Sequence, residues 1–142
     1  MKHRHQGFTL LELLVVITIM AIATAGVGLA LRDGGQTRLE REGERLAALL
    51  ESARAQSRAT GVPVRWRVLP PQGFVFEGLP PGNLPTAWLD VGTQALGPGV
   101  LVLGPEPLIG PQQVVLTRAD TPGRAVRVAT DGLRPFTAEP LQ

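Results

Sequence analysis

The chain has 142 residues, enough for about one domain at the usual ~100–200 residues each, and sets 14 Lys+Arg against 12 Asp+Glu for a formal net charge of +2. Lys2 and Arg4 account for that surplus, since every other cation is an arginine balanced by an acid elsewhere in the chain; no global basic field steers the protein to nucleic acid. Cys and Tyr are absent, His3 and His5 both precede Gly7, and the only serines, Ser52 and Ser57, have no histidine to activate them, so neither a nucleophile–base pair nor a Cys/His zinc site is available.

These absences argue against an enzyme, and nothing in the composition asks for a cofactor or a metal. The lack of cysteine leaves the redox compartment open, because disulfides are an option for exported domains and not a requirement.

Residues 1–7, MKHRHQG, are short, polar and basic. Residues 8–31, FTLLELLVVITIMAIATAGVGLAL, hold a single charged residue, Glu12. At ~1.5 Å per residue this stretch makes a helix of about 36 Å, against a hydrocarbon core of ~30 Å. Lys2 and Arg4 place the N-terminus in the cytoplasm by the positive-inside tendency, with everything after Arg32 on the far side of the membrane. The rival reading is a cleaved secretory signal, with small-residue sites at Ala21-Ile-Ala23 or Ala23-Thr-Ala25. Glu12 weighs against it. An acid near the membrane core costs about 2–3 kcal/mol on insertion scales, and a disposable signal has no use for one.

A retained helix would need a partner for that carboxylate. Cleavage after Gly7 would create an α-amino group on Phe8, roughly 6 Å along the same helix from Glu12, and an axially shifted neighbour would offer the same amine. A buried ammonium–carboxylate pair offsets its desolvation only when the groups meet closely, so such a pair would fix subunit register. The other reading of Glu12 is a residue near the headgroup boundary that simply reaches water.

Residues 32–61 form a second stretch of different character. Leu39, Leu46, Leu49/Leu50 and Ala53 share one stripe, with Arg and Glu at the remaining positions, the pattern of an amphipathic helix. Gly61 followed by Pro63 is a helix stop. Asp33-Gly34-Gly35 is the weak point, since each glycine costs about 1 kcal/mol in a helix interior; a bend or a melted turn is expected there. Ala21, Ala23, Ala25, Gly26 and Gly28 either let neighbouring helices approach in lipid or simply face it.

From residue 62 the period becomes two. Val64, Trp66 and Val68 alternate with Arg65 and Arg67; Phe74 and Phe76 flank Val75; further short runs are Val100–Leu103, Gln113–Leu116 and Ala125–Val128. Pro-Pro pairs at 70–71 and 80–81, Gly97-Pro98-Gly99, Pro122-Gly123 and Asp131-Gly132 punctuate them, the last being a hairpin signal. Trp66, Phe74, Phe76, Trp88 and Phe136 read as core or subunit-contact residues. One sheet face packed on the amphipathic helix gives an α+β fold: a leader at 1–7, an apolar half-helix at 8–31, an amphipathic half-helix at 32–61 and an antiparallel β-sheet domain at 62–142.

The arginines of this half, Arg65, Arg67 and Arg127 on the outward positions with Arg118, Arg124 and Arg134 near them, admit an anionic partner. Acids match them in number in the same stretch, and no aromatic interleaves with them on the exposed face, Trp66 falling on the opposite one; a solvated face is the stronger reading, and a base-stacking platform has no support. Asp33, Asp90, Asp120 and Asp131 are scattered, without calcium-loop spacing.

Gly7-Phe8-Thr9-Leu10-Leu11-Glu12-Leu13 resembles the class III leader of type IV pilins and type II secretion pseudopilins. The resemblance implies that a prepilin peptidase cuts between Gly7 and Phe8 and N-methylates Phe8, and that Glu12 pairs with a neighbour's terminal amine during assembly. It also implies a pilin-like fold, other major and minor pseudopilins as partners in a filament, and an inner-membrane assembly platform. Many members carry a helix-breaking proline that this chain lacks before Pro63, with Gly26, Gly28, Gly34 and Gly35 as alternative points of flexibility. LEREGERLAALLESARAQSRATGVPVRWRV and QGFVFEGLP further resemble the H-type minor pseudopilins of type II secretion systems over roughly residues 7–78, and FimT-like minor type IV pilins, some of which bind DNA, share that domain type. The expected location is the inner membrane, single-pass, with the β-domain in the periplasm. A secreted β-rich binding protein that loses its N-terminus is the remaining alternative.

Overall fold

The computed structural model describes residues 7–71 and 73–141, without the side chains of residues 29 and 31–33. The roles expected for Lys2 and Arg4, and for the side chain of Arg32, lie outside the described residues. Among the described residues one helix, α1 (Leu10–Thr60), precedes seven strands: β1 (Val64–Leu69), β2 (Gly73–Glu77), β3 (Thr93–Leu96), β4 (Val100–Gly104), β5 (Gln112–Arg118), β6 (Ala125–Thr130) and β7 (Thr137–Leu141). The architecture is α+β, with a long N-terminal helix and antiparallel sheets in a pilin-like layout. The chain divides into two compact units, Met1–Gly34 and Gly35–Gln142.

In the first unit every described side chain from Gly7 to Gly28 is exposed. In the second, α1 and the strands share one core. The helix contributes Leu39, Leu46, Ala47, Leu50 and Ala53, and its end follows from Gly61, whose left-handed φ of 72° lets its N–H close on the Ser57 carbonyl at 2.8 Å. The melted turn allowed for at Asp33-Gly34-Gly35 does not occur: the backbone is helical at all three positions. Gly35 serves a different purpose, because a Cβ there would lie 2.8 Å from the Thr121 hydroxyl of the β5–β6 turn. Gly43 does the same farther along the helix, where a Cβ would lie 2.6 Å from a Val126 methyl and 3.2 Å from Ala138. Missing side chains bring helix and sheet together.

The strands form two sheets where the alternation had suggested one. The first has the order β2-β1-β4 and the second β3-β5-β6-β7, all pairs antiparallel. Val64, Trp66, Phe74, Phe76, Leu101 and Leu103 line the inner face of the first; Val114, Leu116, Val126 and Val128 that of the second. Trp66, Phe74 and Trp88 meet as tilted or edge-on rings, with centroids 4.7 to 6.5 Å apart, the geometry aromatic pairs prefer. Phe136 closes the other end of the core at 5% exposure.

Asp131-Gly132 does lie in a hairpin, between β6 and β7, but the connection is a six-residue loop rather than a two-residue turn. The Asp131 carboxylate accepts the N–H groups of Leu133 and Arg134 at 2.9 and 2.7 Å, and those bonds hold its pKa below the usual carboxylate value.

The arginines are largely tied down. Arg67 pairs with Glu77 at 2.6 Å and Arg127 with Glu139 at 2.7 Å, both exposed pairs between neighbouring strands. Arg118, which the sequence placed only near these outward arginines, is not on a solvated face. It is buried, and it bridges Asp90 at 2.8 Å and Asp120 at 2.6 Å. Its guanidinium hydrogen bond pulls the Asp120 carboxyl down to about 2 and raises its own pKa in return. Arg118 thereby fastens the loop ahead of β3 to the turn after β5.

Candidate functional site

The site begins at the N-terminal end of α1. Gly7, Phe8 and Thr9 precede the helix in non-helical backbone, all exposed, with Phe8 at 80%. Thr9 caps it: its hydroxyl accepts the Glu12 N–H at 3.2 Å and its carbonyl the Leu13 N–H at 3.1 Å. A threonine at this position satisfies a donor that the first turn would leave free. It also sets the point at which the chain enters the helix, leaving the Gly7–Phe8 peptide bond outside it. Glu12 falls in the first turn, where a carboxylate is favoured by the helix dipole. Gly7, Phe8, Thr9 and Glu12 line one open concavity of about 400 Å³. The three residues singled out from the sequence thus sit together at one helix end.

Beyond them, Leu10–Gly28 is long and apolar enough to cross a membrane, with a mean hydropathy of 2.4 and no part of it buried. Thr18 and Thr24 are the only polar side chains between Leu13 and Gly28. The Thr18 hydroxyl donates to the Leu14 carbonyl at 2.8 Å, and that of Thr24 to the carbonyls of Met20 and Ala21 at 2.9 and 3.0 Å. Neither hydroxyl is left wanting a partner, which is what a helix in hydrocarbon requires. Sequence reasoning passed over both threonines, and their spacing to carbonyls three and four residues back was the available signal. Gly26 and Gly28 have open space where a Cβ would stand, so no packing contact among the described residues explains them.

Residues 2–28 match the family described as the prokaryotic N-terminal methylation motif. No curated protein and no solved structure matches the chain. The N-terminus therefore carries a prepilin motif of the type IV pilin kind, joined to an apolar helix. Such a motif implies processing by a prepilin peptidase and assembly into pilin-type filaments, and the helix that accompanies it points to membrane anchoring.

Proposed function

We propose that the protein is a minor pseudopilin of a type II secretion system, of the H-type, which joins the tip of a short periplasmic pseudopilus to its shaft and so supports export across the outer membrane. The observation that carries this reading is the grouping of Gly7, Phe8 and Glu12 at the start of an apolar, membrane-length helix. The stretches that resemble H-type subunits support the narrower assignment: one supplies the core stripe of α1 and strand β1, the other strand β2 with Phe74 and Phe76.

On this reading the chain is an inner-membrane, single-pass protein with its N-terminus cytoplasmic and its β-domain periplasmic. Its role is structural; it is a substrate of the peptidase and performs no chemistry itself. Cleavage after Gly7 turns Phe8 into a methylated terminal amine. Glu12 then offers its carboxylate to the amine of a neighbour, and an unpaired copy keeps a desolvation cost of about 2–3 kcal/mol. Pairing relieves it only in one axial register.

Glu12→Ala tests this. The variant is expected to be cleaved and membrane-inserted as before, while its recovery in complex with neighbouring pseudopilins falls by an order of magnitude or more, the effect of about 2 kcal/mol per contact. Undiminished recovery would show that Glu12 merely reaches water.

A further inference from the structure

Strand β4 is an edge strand. β1 pairs with one side of it, and on the other side the Gln112 side chain occupies the main-chain groups of one residue. The Gln112 carboxamide oxygen accepts the Val102 N–H at 2.6 Å, and its nitrogen donates to the Val102 carbonyl at 2.8 Å. A carboxamide carries the same donor and acceptor as a peptide group. Seated on both groups of one strand residue, it takes the place that a residue of an adjoining antiparallel strand would take.

The surroundings suit a strand as well. Leu101 and Leu103 turn into the core, while Val100 and Val102 stay 39% and 44% exposed. Beside them runs a groove of about 550 Å³, lined by Pro98, Val100, Leu101, Pro111, Gln112 and Gln113, with Ala129 and Thr130 beyond. None of these residues is charged. An ionic ligand finds no counter-charge there, whereas an extended apolar chain finds main-chain groups and exposed valines. The other sheet's far edge, β7, carries Pro140, which has no N–H to offer. The edge of β2 is partly covered, where the Phe74 N–H donates to the Thr86 carbonyl at 2.9 Å.

We propose that the β4 edge is a strand-acceptor site: an extended, uncharged segment of a partner polypeptide adds beside Val100–Val102, and the Gln112 carboxamide is the removable plug it displaces. The plug blunts an edge that would otherwise invite indiscriminate pairing, and main-chain bonding with valine contacts is the ordinary chemistry of strand addition. This site stands apart from the N-terminal one and does not depend on how Phe8 is processed.

The test uses the full chain in detergent micelles and a short synthetic peptide of alternating valine and threonine with lysine at both ends. A control peptide of the same sequence is N-methylated along one edge. Amide spectra are recorded for the wild type and for Gln112→Met, which keeps the side chain's length but neither hydrogen bond. The unmethylated peptide is expected to shift the Val102 amide and the Gln112 side-chain resonances and to slow exchange at the β4 edge. It should bind Gln112→Met about fivefold tighter or more, because the competing plug is gone. Gln112→Glu, which loses the donor to the Val102 carbonyl, gives an independent second variant if the first does not fold. Equal binding of both peptides, shifts confined to another surface, no binding to any form, or self-association of Gln112→Met in preference to peptide capture would each overturn the assignment.

Discussion

Trp66→Ala is expected to lower the melting temperature of the full chain in detergent by about 15 °C or more. Trp66 is fully buried and in ring contact with Phe74 and Trp88. Truncating a buried tryptophan costs about 3–5 kcal/mol in transfer and cavity terms, a large part of the ~5–15 kcal/mol that holds a domain folded, and each kcal/mol moves the midpoint of a domain this size by roughly 4–8 °C. The indole N–H has no hydrogen-bond partner among the described residues. Trp66→Phe is therefore expected to cost distinctly less, because it removes an unsatisfied donor along with the volume. Calorimetric scans of the two variants check both statements. A shift of a degree or two for the alanine variant would mean that the first sheet's inner face does not carry the core.

The second large effect is expected at Arg54. Its side chain is 3% exposed on the apolar face of α1, where it donates to the Gly132 carbonyl at 2.9 Å and meets Glu51 at 3.4 Å. A longer contact of 3.5 Å reaches the Arg134 carbonyl, and Glu51 in turn accepts the Phe136 N–H at 3.0 Å. One guanidinium thus pins the β6–β7 loop to the helix. The loop comes close against Ile109 here, since Gly132 has a left-handed φ of 91° and a Cβ there would clash with the Ile109 carbonyl oxygen. Arg54→Ala leaves the buried Gly132 carbonyl without its partner, while the Arg134 carbonyl keeps the Thr130 hydroxyl and Glu51 keeps the Phe136 N–H; the expected cost is about 1–3 kcal/mol. Urea unfolding of the full chain measures it, and Arg54→Lys should recover only a fraction, because an ammonium lacks the planar fork. A midpoint unchanged in Arg54→Ala would show that the loop holds itself.

Arg54 also shows what a linear reading misses. The stripe of Leu39, Leu46, Leu50 and Ala53 was legible because helical spacing puts apolar residues on one face. Glu42, Arg54 and Ser57 occupy that same face and are buried too, and by residue type they looked solvated. Ser57 donates to the nearby Val62 carbonyl and the other two meet charges one turn away, but the contacts that tie Glu42 and Arg54 to the sheets lie far along the chain: the Leu89 N–H for Glu42 at 2.7 Å, the Gly132 carbonyl for Arg54. Nothing local announces them.

The β-half divides along the same line. Alternation at Val64–Val68 and Phe74–Phe76 told which side chains turn inward. It held no information on which strands pair, so two sheets were not separable from one. Strands β3 (TQAL) and β7 (TAEPL) escaped because both are edges, short and poor in β-branched or aromatic residues, and β7 contains a proline. The melted turn allowed for at Asp33-Gly34-Gly35 failed for a related reason. Helix propensity is a weak prior that tertiary packing overrides, and Gly35 is there for Thr121 to approach.

The N-terminal site was the most legible region, since its elements are contiguous and its chemistry is local. Gly7, Phe8 and Glu12 needed no fold to bring them together. The cap from Thr9 and the self-satisfied hydroxyls of Thr18 and Thr24 became visible only with the helix in place.

The most direct measurement is the intact mass of the mature protein extracted from membranes, with its N-terminal peptide sequenced. The expected chain begins at Phe8 and carries one added methyl group. A chain that begins near Thr24 or Gly26 would contradict this reading: a signal peptidase would then have removed the helix, leaving a globular β-rich unit with no membrane anchor and no place in a filament.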